Sequence, residues 1–99
     1  MPYIKNCRRE KIDKKLNLLI KELKQLRDSS TQGWQIGDIS YIIVRLAHEW
    51  LKYRGLKYKF FNEVIGVLEC TKLELYRATV APYEEAKRKR VGSVSTLDY

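Results

Sequence analysis

The amino-acid sequence predicts an all-α fold, a small three-helix bundle with a kinked C-terminal helical extension. Apolar residues recur at the three- and four-residue spacing of amphipathic helices through three stretches of the 99-residue chain. Glycine-bearing polar breaks separate those stretches. The balance of 44% hydrophobic to 32% charged residues also lies inside the globular range. The length suits one domain, residues 1–99, with 1–8 as an extended N-terminal arm and 91–99 as a tail.

The arm begins MPYIKN, where Pro2 disfavours helix before it and Tyr3 and Ile4 offer a short apolar hook. The first helix, expected over 9–27, carries Ile12, Leu16, Leu19, Ile20, Leu23 and Leu26 in one stripe, with Lys14, Lys21 and Lys24 opposite. Residues 28–33, DSSTQG, break it, and Trp34 and Ile36 then re-enter the apolar surface.

The second helix, expected over 38–54, organises the rest. Ile39, Ile42, Ile43, Leu46, Ala47, Trp50 and Leu51 form its stripe, and Tyr41 and Val44 widen it beyond what one neighbour covers. Asp38 reads as its N-cap, worth about 1 kcal/mol, and Gly55 as its left-handed terminator. Trp34 and Trp50 are expected in the core. The third helix, over 60–81, carries Phe61, Val64, Ile65, Leu68 and Leu75. Pro82 then kinks or restarts it, with acids Glu84 and Glu85 ahead of a basic run reaching Arg90. Apolar surplus on helices two and three predicts a homo-oligomer with one of them at the contact.

Twenty Lys and Arg against twelve Asp and Glu leave +8, which favours polyanionic partners. Residues 1–30 carry nine bases and four acids, so most of the excess lies at the N-terminal helix. Cys7 and Cys70 lack metal or redox spacing and read as reduced thiols. The charged N-terminus is unlike a signal peptide, and no apolar run reaches the roughly 20 residues of a membrane span. A cytoplasmic location, without membrane contact, is expected.

The segments GDISYIIVRL, NEVIGVLECTKLELYR and APYEEAKRKR, with the MPYIK start, resemble a family of small phage and prophage proteins of unknown function. That family carries G-D-x-N-Y, N-E-V-I-G-x-L-E-C and A-P-Y-E-D segments. The resemblance covers residues 1–5 and roughly 37–90 and implies a phage or prophage origin, hence an infected or lysogenic bacterial host, and one helical domain. It implies no activity. Ser40 stands where the family has Asn, and the tail VGSVSTLDY departs from the family's N-G-D-V-Y ending while keeping the terminal tyrosine.

A catalytic centre is not expected. His48 is the only histidine, so histidine pairs and zinc motifs are excluded, and neither phosphate-loop nor nucleophile-elbow spacing occurs. No cofactor is expected either. Tyr41, Arg45, His48 and Lys52, at offsets 0, 4, 7 and 11, project one polar stripe from the second helix. Arginine suits phosphate, lysine adds a point charge and tyrosine a stacking face. The leading expectation is thus a non-enzymatic phage accessory protein holding an anionic nucleotide at Tyr41, Arg45 and Lys52, and so sequestering a host immune signal. The same spacing also suits a plain solvent-facing stripe. The alternative is DNA or RNA binding through Arg8, Arg9 and Lys11 together with Lys87, Arg88, Lys89 and Arg90, and a third reading is inhibition of a host enzyme by protein contact.

Overall fold

The computed structural model describes residues 2–98; Met1 of the expected arm and Tyr99 of the expected tail lie outside them. The protein is all-α. Helix α1 spans Asn6–Lys24, α2 Ile36–Arg54, α3 Tyr58–Leu75 and α4 Ala81–Val91, and a π turn at Tyr76–Val80 joins α3 to α4. There are thus three helices, the last one kinked, and no strand among the described residues. The chain divides into two compact units, Pro2–Phe61 and the part from Asn62 onward.

Within the first unit, α1 starts three residues earlier than the spacing predicts, so the extended arm stops at Lys5. Lys5 is the N-cap in extended conformation, and its carbonyl accepts from the amides of Arg8 and Arg9, both at 3.0 Å. Backbone bonding alone sets this start, with no side-chain cap to announce it. The helix ends at Lys24 instead of 27 because Leu26 leaves it to pair with the loop, its carbonyl accepting from Gly33 N–H at 2.6 Å. Gly33 has φ +76°, a left-handed conformation that glycine adopts without strain.

That loop is a built turn. One Asp28 carboxylate oxygen accepts from the amides of Ser30 and Thr31, at 2.8 and 2.7 Å, and the other from the Thr31 hydroxyl at 2.7 Å. Hydrogen bonding from Ser30 and Thr31 holds the Asp28 pKa down at about 2. A β-bridge between Arg27 and Gln32 closes the turn.

Helix α2 begins at Ile36 and not at Asp38. Gln35 is the N-cap, and Asp38, three residues in, accepts from the Gln35 amide at 2.9 Å, the carboxylate half of a capping box. Gly55 ends α2 with φ +126° and its amide bonded to Leu51 O at 2.7 Å. The chain turns over Leu56 and Lys57 into α3, where the Phe60 ring meets Trp50 edge-on at 6.0 Å and lies under the Arg54 guanidinium at 4.9 Å.

Helices α1 and α2 do not lie side by side. The core is accordingly small: Leu23, 7% exposed, is the one buried hydrophobic among the described residues. Trp34, expected inside, is 40% exposed, since α1 and α2 do not lie side by side to cover it; Trp50 is half-buried against Phe60.

In the second unit the helix runs on past Pro82. Proline has no N–H to return to Ala78, and its ring crowds that carbonyl in a regular α-turn. The wide turn before it, in which Ala81 N–H reaches back to Tyr76 O, moves the backbone aside and lets helix continue on both sides. Gly92, at φ +109°, ends α4. The tail then folds into a turn, with the Val94 amide donating to the Asp98 carboxylate at 2.7 Å.

Candidate functional site

The cations of the expected sites fall in three places, and their surroundings differ. At the start of α1 the first turn holds no acid, so the positive end of the helix is uncovered. Arg8 and Lys11, three apart, lie on one flank, and Lys15, four further, continues it. Arg9 falls about 100° around the axis from Arg8, off that line. An open groove of about 510 Å³ runs beside the flank, lined by Tyr3, Ile4, Lys5, Cys7, Arg8 and Lys11. Among the described residues the ion pairs lie on α2 and from α3 onward, and no cation of α1 takes part in one.

On α2, the i, i+4 spacing brings Tyr41 and Arg45 together. Arg45 Nη1 donates to the Tyr41 hydroxyl at 3.0 Å, and the guanidinium lies 5.9 Å from the ring centre. That hydrogen bond, followed by charge interaction with Tyr41 and Glu49, raises the Arg45 pKa. Glu49 then stands between the two expected phosphate contacts, 3.6 Å from Arg45 Nη2 and 3.5 Å from Lys52 Nζ. His48 is exposed on the same side. This surface is a helix face with one neutralising carboxylate at its centre.

The third cluster, Lys87, Arg88, Lys89 and Arg90, occupies the last turns of α4, where the negative helix end favours bases. Arg88 is committed locally: it donates to Glu85 at 2.6 and 3.1 Å and to the Ser93 hydroxyl at 3.1 Å. The Arg88 hydrogen bonds hold the Glu85 carboxyl below the usual range, and Glu85 raises the Arg88 pKa in turn. A groove of about 460 Å³ alongside mixes Lys87 and Arg88 with Glu84, Glu85 and Asp98, so it presents no single sign of charge. Glu69 and Lys72 form the exposed helix ion pair that their spacing suggests, at 2.9 Å.

Three residues absent from the expected sites belong in the description. Lys15 extends the α1 flank, Lys5 stands beside it and Glu49 occupies the α2 stripe; each was legible as spacing, three or four residues from a residue already singled out. Among the described residues, no three His, Cys, Asp or Glu side chains gather to hold a metal, and no helix is long and apolar enough to cross a membrane. No curated protein and no solved structure matches the chain. A family model matches residues 1–94, and the chain belongs to that family, a domain of unknown function (DUF6899).

Proposed function

We propose that this protein is a non-enzymatic accessory protein that binds nucleic acid, with Arg8, Lys11 and Lys15 as the phosphate-contacting flank and Lys5 and Arg9 beside it. The observation that carries this reading is the unpaired state of the α1 cations. A paired cation must give up its carboxylate before it meets a phosphate, whereas these meet the ligand directly and release its counterions. Helical spacing also aligns Arg8, Lys11 and Lys15 along about 10 Å of helix, the dimension of a phosphate backbone and not of a single phosphate. Lys87, Lys89 and Arg90 supply a second basic segment on α4. The resemblance in the MPYIK, GDISY, NEVIGVLEC and APYEE segments supports a phage or prophage origin, and nucleic acid binding fits action in the host cytoplasm.

A second reading keeps the small ligand: a nucleotide, such as a host immune signal, held and sequestered at Tyr41, Arg45 and Lys52. The Tyr41–Arg45 contact favours it, since ring face and guanidinium are already oriented together. Glu49 works against it, because an incoming phosphate must displace or outcompete that carboxylate.

Fluorescence anisotropy with a labelled 20-nucleotide RNA and a 20-base-pair DNA, beside a thermal-shift panel of linear and cyclic nucleotides, separates the two. Nucleic acid binding that weakens when Arg8 and Lys11 become glutamate supports the first reading. A salt-tolerant thermal shift from one nucleotide, lost in Arg45→Ala, replaces it with the second. Absence of both responses rejects both and leaves contact with a host protein.

A further inference from the structure

Helix α2 carries a seam of which only the Trp50 end is covered within its own unit, by Phe60. Ile36, Ile43 and Trp50 are spaced by seven residues, and so are Ile39, Leu46 and Tyr53. Interleaved by three and four, these six make an unbroken a/d pattern along the length of α2, the pattern of helices that pack on like helices. Around the axis the apolar side chains extend over about 200° at 3.6 residues per turn, and between Ile36 and Tyr53 no charged residue falls within that arc. Ser40 and Ala47, also seven apart, border the seam with small side chains that let a second backbone approach.

The seam lies open. Ile36 is 83% exposed, Leu46 66% and Tyr53 84%, with Ile39 and Ile43 near 40%. Taking roughly 200 Å² for a large side chain in the open, the exposed part is on the order of 600 Å². That is close to the ~800 Å² each partner contributes to a stable pair. The neighbour in sequence, α1, does not lie along it, and the connection between them is ordered by the Asp28 turn, the Arg27–Gln32 bridge and the Gln35–Asp38 cap.

We propose that this seam is the contact surface for a second copy of the chain, α2 packing on α2 about a two-fold axis. A two-fold contact is self-complementary, and from Ile36 to Tyr53 the seam holds no charge, so that length meets its own copy without the like-charge repulsion a chain of net charge +8 would otherwise impose, while Arg54 at its C-terminal end is held over the Phe60 ring. The polar strip of Tyr41, Arg45, His48, Glu49 and Lys52 then faces outward on both copies.

The test is sedimentation velocity of the full chain from 1 to 50 µM. The expected result is a dimer or a multiple of it, converted to the 11.8 kDa monomer by Leu46→Glu with helical ellipticity retained, and unaffected by Lys52→Glu outside the seam. Isotope-filtered NOEs between labelled and unlabelled wild-type chains are expected at the Ile39, Ile43 and Leu46 methyls, a readout that does not depend on how a variant folds. A wild-type monomer at 50 µM overturns the proposal, including the case where α1 or α3 of the same chain covers the seam. So does an oligomer without those NOEs, or one that survives Leu46→Glu and is lost in Ile65→Glu, which transfers the contact to α3.

Discussion

Reversing charge at Arg8 and Lys11 tests the nucleic acid reading at the level of individual contacts. The α1 flank presents three cations in line, Arg8, Lys11 and Lys15, and none is engaged by a carboxylate. Each phosphate they neutralise releases condensed counterions, so three contacts to duplex DNA give a slope of log K against log salt of about −2.7. Between 50 and 200 mM salt the affinity then falls roughly 40-fold. In Arg8→Glu/Lys11→Glu the slope is expected to shrink by about one unit per lost contact, to near −0.9. Arg9→Ala, off the line of the flank, is expected to leave the slope of the wild type. The assay is anisotropy of a labelled duplex at five salt concentrations, with circular dichroism to confirm that each variant keeps its helices. A wild-type slope shallower than −1, or a double variant with the wild-type slope, refutes the assignment of the flank.

Three further outcomes are expected. Asp28 has its pKa lowered to about 2 by hydrogen bonds from Ser30 and Thr31, so its carboxylate stabilises the folded turn above the ordinary aspartate range and that contribution is lost as pH falls toward 2. A carboxyl NMR titration checks the midpoint, and amide shifts of Ser30 and Thr31 should move with it; a midpoint near 4 contradicts the turn geometry. Asp38→Ala removes the carboxylate from the Gln35 amide and is expected to lower stability by about 1 kcal/mol in urea unfolding, while Asp38→Asn should recover part of it. Pro82→Ala restores a helical N–H, but Pro82 stands in the first turn of α4 with its ring already accommodated, so stability is expected to change by less than about 1 kcal/mol, with slower amide exchange across residues 78–82; a gain near ~3 kcal/mol would show that the wide turn leaves the ring strained.

How much of this was legible in the sequence varies with the kind of signal. The stripes of α1 and α2 were readable because burial preference repeats with the helical period. The α1 start was misplaced because Lys5 caps with its backbone and leaves no residue signature. Gln35 displaced Asp38 from the cap position for a related reason: a carboxylate suits a helix start both at the cap, accepting from amides inside the first turn, and three residues in, accepting from the cap amide, so residue type alone does not separate the two. Pro82 announced a kink, but a π turn depends on where the Ala78 carbonyl can move, which spacing does not encode. Trp34 shows the limit of periodicity, which says that a face requires cover and is silent on what supplies it. On the site side, the Tyr41–Arg45 contact followed from their spacing. The same rule placed Glu49 between Arg45 and Lys52, and its charge changes what that stripe can hold.

The π turn at Tyr76–Val80 also sets the angular phase of everything after it. It holds one residue more than the α turn it replaces, so α4 is set back by about 100° around the helix axis relative to an uninterrupted helix. Closing the turn at constant length, as Pro82→Ala would allow, swings Lys87–Arg90 through that angle, and deleting one residue within 76–80 at the same time returns them to their present direction. The direction in which α4 presents its charges is therefore a matter of counting residues across a single turn: the π turn absorbs one residue, so the basic run keeps the phase of a helix one residue shorter.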